Sequence, residues 1–398
     1  MATSRARAAV LAALAAVAAG AVALVAWQGD DDVARNVIFI NGDGMAAVQR
    51  QAATLALEGV GGTLAMDRLP VSGSQTTDPD DPEAVVTDSA AAATAWATGT
   101  KTANRRLSTT PDGSPLRPLG REAKQAGKAT GLVTTAPVTD ASPAAFFASV
   151  PDRGDQEAIA AQYLDTSRPD VVLGGGASRW SDALLAQAER SGYELLDDAA
   201  DVEDARSSKL LGLFADKEMW TAADEPPDEP PAQAGAAAQE PAEVAAYDPA
   251  VSLADMTAKA LEVLSEDDDG FFLVVEEEAV DGMGHANNGT LVLEAMRALD
   301  EAVAVAREYV EEHPDTLLVV TGDHEAGGLT LEDADEGSED GPFDVADSDL
   351  QFALDWTSDE HTGVPTPVTA EGPGSERLAG SYPNTHIHTV LRDALLGD

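Results

Sequence analysis

The chain has 398 residues, with 71 Asp and Glu against 24 Lys and Arg, for a formal charge of -47. So acidic a surface repels nucleic acid and excludes nucleic-acid binding as a function class. The absence of cysteine excludes disulfides, thiolate zinc sites, a cysteine nucleophile and a lipid-modified cysteine anchor. The length suits a large α/β enzyme built on a single sheet. The acid surplus runs through the whole chain and Lys is scarce, a composition that looks like proteins of salt-loving microbes. Near 1 M salt the Debye length shrinks to about 3 Å, from about 8 Å at physiological strength, so self-repulsion falls.

In chain order, Arg5 and Arg7 precede an apolar run from Ala8 to Trp27, and Asp30-Asp31-Asp32 follows. A basic start, an apolar middle and an acidic exit mark residues 1–29 as a signal peptide or an N-terminal membrane anchor. Either reading places residues 30–398, expected to form one domain, outside the cytoplasm. Val37-Ile38-Phe39-Ile40 is the first strand, and Asn41-Gly42-Asp43-Gly44 follows it. Thr87-Asp88-Ser89 opens a helix-prone run to Ala97. Asp88 or Ser89 is the N-cap there, and the same helix end suits a phosphate.

Leu132-Val133 predicts a second strand, which leads through a turn to Asp140 and Ser142; Val171 to Leu173 predicts a third. Helices are expected over Asp182 to Ser191, Leu253 to Leu264 and Leu291 to Glu312. Residues 222–247, rich in Pro, Ala and Glu, read as a surface loop or disordered insertion. Phe271 to Val275 is a strand that delivers Glu276, Glu277 and Glu278, then Asp281 and His285. The last two are four apart and face the same way on a helical turn. Leu317 to Val320 delivers Thr321-Gly322-Asp323-His324-Glu325. The acidic stretch from Glu332 to Asp349 reads as a loop, and Glu360-His361-Thr362-Gly363 sets another histidine in a loop. His313 reads as a helix-end cap, and His386 and His388 as strand or surface residues.

The strand runs are continuous, as buried parallel strands are, and they alternate with helices. The expected fold class is therefore α/β, a mostly parallel central sheet flanked by helices. In such sheets ligands sit beyond the carboxyl ends of the strands. Four of these strands deliver acids or histidines to that edge. The residue types suit divalent metals, since zinc takes histidine nitrogen and carboxylate oxygen while magnesium takes oxygen.

Taken in order, the motifs resemble the alkaline phosphatase family. They are Asn41-Gly42-Asp43-Gly44-Met45, Thr87 to Ala91, Thr134 to Pro143, Glu276 to His285, Thr321 to His324 and Glu360 to Gly363. The resemblance covers roughly residues 36–363 and implies a three-layer sandwich with two zinc ions and one magnesium ion. It implies that Asp281, His285 and His361 hold one zinc, and that Asp43, Asp323 and His324 hold the other, beside a nucleophilic Ser89. Asp43, Ser142 and Glu276 would hold the magnesium, with Asp140 touching its waters. Arg153 would clamp the free phosphate oxygens, oriented by Asp88. It also implies phosphate monoesters as substrates and a homodimer.

Some residues depart from the family pattern. Gly282 stands where relatives often carry a Lys or His that contacts phosphate through water, which predicts a weaker hold on phosphate. Glu277 and Glu278 replace small residues and read either as salt adaptation or as support for the magnesium site. Asp140, in place of a His seen in other relatives, favours magnesium. The competing readings are a phosphodiesterase of the same superfamily and a non-catalytic metal-binding surface protein. A sulfatase is disfavoured because Ala90 follows Ser89 where sulfatases need their own motif.

Overall fold

The computed structural model describes residues 33–220, 247–335 and 337–397. The expected signal or anchor segment, and all of the Pro/Ala-rich stretch except Tyr247, lie outside the described residues. The strands are β1 (Asn36–Gly42), β2 (Val71–Thr76), β3 (Ala129–Pro137), β4 (Val171–Gly175), β5 (Glu194–Leu196), β6 (Leu210–Leu213), β7 (Phe271–Glu277) and β8 (Thr316–Thr321). After these come β9 (Glu325–Ala326), β10 (Leu329–Asp333), β11 (Asp340–Asp344), β12 (Gln351–Trp356), β13 (His361–Thr362), β14 (Thr366–Glu371) and β15 (Gly380–Pro383).

Ten of them form one sheet in the order β15-β2-β14-β8-β1-β7-β3-β4-β6-β5. Only β14 runs antiparallel to its neighbours, β2 and β8. Every residue of β1, β3, β7 and β8 is buried. That is why their sequences are continuous apolar runs: both faces are covered, so neither can be polar. Successive side chains alternate between the faces. Ile38, Ile40, Leu273, Val275, Leu318 and Val320 pack on one side. Val37, Phe39, Phe272, Val274, Leu317 and Val319 pack on the other.

Among the described residues, the helices that bear on the site are α1 (Ala47–Glu58), α2 (Ser89–Thr98), α3 (Ala141–Ala145), α4 (Leu253–Leu264), α5 (Ala279–His285), α6 (Gly289–Glu312) and α7 (Thr385–Leu396). The first sheet face is covered by α1, α4 and α6, and the second by α2, α3 and α7. The result is the expected three-layer sandwich. Helix α2 is built almost wholly of Ala and Thr and is buried along all but its last residue. Its small side chains let it lie close on the sheet, and Trp96 meets the edge of Phe39 at 5.1 Å between ring centroids. Burying such a ring is worth about 1.5–3 kcal/mol. The helix stops at Gly99, whose φ of 68° is a left-handed cap conformation.

Two expectations need correction. The acidic stretch from Glu332 to Asp349 is not simply a loop. It contributes the end of β10 and all of β11 to a three-stranded antiparallel sheet with β12. The Phe343 and Phe352 rings meet there at 5.4 Å, supplying the apolar face that the surrounding acids concealed. His386 and His388 lie in helix α7, not in a strand. Their ring nitrogens contact the backbone carbonyls of Arg377 and Trp96. His313 does sit at the C-terminal cap of α6, with its ring stacked on Tyr309.

Candidate active site

The four central strands β8, β1, β7 and β3 are adjacent, so their carboxyl ends open onto one place. Beyond β1 lies Asp43, beyond β3 Asp140 and Ser142, at the end of β7 Glu276 followed by Asp281 on α5, and beyond β8 Asp323 and His324. His361 arrives by another route. The short β13 pairs antiparallel with β9, placing His361 opposite Ala326 and so beside the end of β8.

Two sets of ligand-type atoms result. Asp281, His285 and His361 form one, and Asp43, Asp323 and His324 form the other, with the donor atoms of each set within 4.8 Å of one another. In the first set, Asp281 carboxylate oxygens lie 3.2 Å from His285 Nε2 and 3.3 Å from His361 Nε2. In the second, His324 Nε2 lies 3.4 Å from Asp43 Oδ1 and 3.1 Å from Asp323 Oδ2. The sets are contiguous, because the His324 and His361 rings stack at 3.5 Å.

The donor set itself tests the fit to metal ions. Asp43 Oδ1, Asp281 Oδ1, Asp323 Oδ2 and His324 Nδ1 are buried and have no hydrogen-bond partner among the described residues. Three of these are carboxylate oxygens that sit close to imidazole nitrogens without hydrogen-bond geometry. His285 Nε2 and His361 Nε2 face each other at 3.0 Å, although both are natural ligand atoms. These two imidazoles are oriented from behind, by the Asp359 carbonyl at His285 Nδ1 and the Thr87 carbonyl at His361 Nδ1. Such backing is what fixes the tautomer of a ligating histidine. The residues fit two divalent cations.

Electrostatics agree. Burial, then the neighbouring carboxylates of Asp323 and Asp281, push the Asp43 carboxyl well above its ordinary range. Glu276 is pushed up to about 8, chiefly by burial, against the hydrogen bond from Thr134. Burial also works against the Asp281 carboxylate, but the close imidazoles of His285 and His361 outweigh it and hold the group well below the usual range. Cations in the cluster would relieve this excess of buried negative charge.

A third group adjoins the second set. Ser142 Oγ lies 3.5 Å from Asp43 Oδ2 and accepts from Asn41 Nδ2 at 3.3 Å. Glu276 Oε2 accepts from Thr134 Oγ1 at 2.6 Å. Asn41 and Thr134 stand within motifs read from the sequence, but the sequence alone assigns them no role. Their polarity near the carboxyl ends of buried strands was the available signal.

Ser89 is the first residue of α2, 4 % exposed, and its Oγ lies 3.4 Å from His324 Nε2. The cap belongs to Asp88, whose Oδ1 accepts from the Ala91 amide at 2.9 Å. This division leaves the Ser89 hydroxyl for other work, at the positive end of a helix dipole. Arg153 is tied to the same helix end through Asp88. Its Nη2 donates to Asp140 Oδ1 at 2.7 Å and its Nη1 to Asp88 Oδ2 at 3.5 Å. Asp140, expected to serve water, is thus the nearer orienting partner of the arginine. Burial disfavours the Arg153 charge, but Asp140 and Asp88 outweigh it and raise its pKa.

Two glycines allow close approach. Gly44 has φ +73°, and a Cβ there would lie 2.7 Å from Asp281 Cα. Its amide donates to Asp323 Oδ1 at 3.1 Å. Gly44→Ala is therefore expected to cost about 1–3 kcal/mol and to loosen both ligand sets, read as a lower melting temperature and faster metal loss to a chelator. The second is Gly282, where a Cβ would lie 2.5 Å from the Trp220 ring. The room for a side chain at position 282 is filled by that indole. Glu277 and Glu278 are not surface decoration: Glu277 is fully buried and Glu278 half-buried.

Comparison with known proteins gives a consistent result. The family model described as alkaline phosphatase matches residues 34–339. The chain is 36% identical to streptomycin-6-phosphate phosphatase of Streptomyces griseus, over 91% of this chain and 90% of that protein. It is 33% identical to alkaline phosphatase of Escherichia coli (strain K12), over 92% and 87%. Among solved structures, a cold-active alkaline phosphatase from the psychrophile Shewanella sp. has a TM-score of 0.77 at 30% identity, covering 90% of this chain and 99% of that one. A TAB5 alkaline phosphatase variant with aspartate in place of a histidine, and Mg bound in its M3 site, has a TM-score of 0.75 at 27% identity, covering 92% and 98%.

Proposed function

The chain belongs to the alkaline phosphatase family, a metal-dependent family that hydrolyses phosphate monoesters, and on that premise we propose that Ser89 is its nucleophile and Arg153 its phosphate clamp. The observation that carries this reading is the convergence of two carboxylate–imidazole sets on one buried serine at a helix N-terminus. Asp281, His285 and His361 hold one zinc, and Asp43, Asp323 and His324 hold the other. Asp43, Ser142 and Glu276 hold a magnesium, with Asp140 beside it. The aspartate-for-histidine variant of the TAB5 relative, with its Mg, supports magnesium at this third place. When bound, the ions act as Lewis acids, lowering the pKa of hydroxyl groups and stabilising charge on the attacking and leaving oxygens.

The protein's own residues do the rest. Ser89 Oγ forms a bond to phosphorus as the bond to the leaving oxygen breaks, and that oxygen leaves with a proton as the alcohol. A water then attacks the phosphoseryl group, restoring Ser89 and releasing inorganic phosphate. Arg153, whose planar guanidinium is oriented by Asp140 and Asp88, would offer its remaining N–H groups to two non-bridging oxygens. A monoester has three non-bridging oxygens, so two can meet that fork while the third stays free for the cations; a diester has only two and cannot serve both, so monoesters are preferred. Arg153→Ala is expected to lower kcat/KM by about 10- to 100-fold, mostly through KM, since a charge-assisted bidentate contact is worth about 1.5–3 kcal/mol. Steady-state kinetics on a chromogenic monoester and its matching diester check both points. Equal rates on the two esters would overturn the monoesterase assignment.

The same reading makes the protein an extracytoplasmic, salt-adapted homodimer. Its support is the N-terminal apolar run, the acid surplus and the habit of the family. Mass measurement in solution and N-terminal sequencing of the exported protein test it.

A further inference from the structure

Beyond β6, at the far side of the sheet, the chain turns back along the carboxyl edge. The Phe214 amide donates to the Gly174 carbonyl, the Gly176 amide to Lys217, and the Met219 amide to Thr135, each at 2.8 Å. This strap lies so close to the end of β4 that a Cβ at Gly175 would be 2.1 Å from the Lys217 oxygen. It ends on Trp220. The indole covers Gly282, and its Nε1–H donates to Glu278 Oε2 at 2.7 Å. From elsewhere in the sequence, the Tyr247 hydroxyl donates to Glu277 Oε2 at 2.5 Å.

The other oxygen of Glu277 accepts from Thr135 Oγ1 at 2.8 Å and from the Ala279 amide at 3.0 Å. The backbone of the same turn carries the site. The Glu277 carbonyl accepts from the Asp43 amide at 2.9 Å, and the Glu278 carbonyl accepts from the Asp281 amide at 3.0 Å. Glu276 immediately precedes this turn, and Asp281 sits in the first turn of α5 after it.

Two further carboxylates beside an already acidic cluster are costly unless each is hydrogen-bonded. A phenol and an indole supply those bonds without adding a cation that would compete with bound metal. We propose that Trp220 and Tyr247 are positioning residues, which donate to Glu278 and Glu277 and so fix the turn that sets Glu276, Asp281 and Asp43 for their metals. This rests on the reading that those three residues hold metal.

The test uses the full metal-loaded chain. Tyr247→Phe keeps the ring and Trp220→Phe keeps a smaller aromatic ring, and each removes one donor. Zinc and magnesium retention is followed by competition with a chromophoric chelator, alongside kcat and KM. Loss of such supporting contacts is expected to weaken metal binding roughly 10-fold. Activity should fall in kcat with KM little changed, and saturating metal should recover it. Tyr193→Phe is the control. It removes another buried hydroxyl, bonded to the Pro169 carbonyl far from the site, and should lower stability without moving metal affinity.

Metal affinity in Tyr247→Phe and Trp220→Phe equal to that of Tyr193→Phe would overturn the proposal. Should the phenylalanine variants not fold, Glu277→Met and Glu278→Met, which keep the side-chain length but remove the acceptors, carry the same expectation. If Asp281→Asn leaves the metal content of the protein unchanged, the assignment of the metal ligands fails instead.

Discussion

Ser89→Ala is expected to lower kcat by on the order of 10⁴-fold or more while leaving the metal complement intact. The hydroxyl is the only part removed, and Ser89 belongs to neither ligand set. Alanine extends the Ala run that already forms α2, and the helix keeps its cap on Asp88. The fold therefore has no reason to change. Two measurements separate chemistry from structure: steady-state turnover on a chromogenic monoester, and acid-stable labelling of the protein by phosphate. Both should disappear together while elemental analysis stays constant. Turnover retained in Ser89→Ala would mean that water attacks phosphorus directly, and Ser89 would lose its assignment.

Chelation should abolish activity and also unfold the protein more easily. The interior of the site holds Asp43, Asp281 and Asp323 at close range, with Glu276 adjoining. The raised pKa values of Asp43 and Glu276 show how poorly the fold alone tolerates that charge. An ion present at about a thousandfold its dissociation constant stabilises the native state by about 4 kcal/mol. Stripping two such ions is expected to lower the melting temperature by about 10 °C or more. Thermal melts before and after chelation, then after re-addition of zinc with magnesium, give the answer. An unshifted melt in protein shown by elemental analysis to be metal-free would contradict a buried metal cluster.

The central strands were readable because burial on both faces forces unbroken apolar runs. Val37 to Ile40, Phe271 to Val275 and Leu317 to Val320 all lie in the middle of the sheet. The outer strands carry weaker patterns. β2 is Val-Ser-Gly-Ser-Gln-Thr and β14 contains Pro367, so neither shows a clear period; β14 owes its place to pairing with β8 and β2, and β2 to pairing with β14 and β15. In β10 to β12 the acids outnumber the few aromatics that pack, and composition hid the alternation.

The ligand-type residues other than His361 stood out in the sequence because each follows a strand at the edge where ligands bind. Trp220 and Tyr247 did not. They border a stretch biased in composition, and their partners Glu277 and Glu278 read as part of an acid surplus. Only the folded chain shows that these two carboxylates are bound by hydroxyl, amide and indole donors.

The antiparallel pairing of β13 with β9, and the long-range contacts around it, bear on when the protein can acquire its ions. The Gly44 amide meets Asp323 across 279 residues, and the His361 ring meets Thr87 across 274. Neither ligand set lies within one local stretch of chain, so high contact order governs the centre of the molecule. A chain emerging from the ribosome holds scattered acids and imidazoles but no chelate. Tight metal capture becomes a late event, coupled to closing the whole sheet, because a preformed site does not exist in the unfolded chain. Ions must then be drawn from the compartment in which folding finishes, and the length of the chain, rather than any dedicated residue, sets that timing.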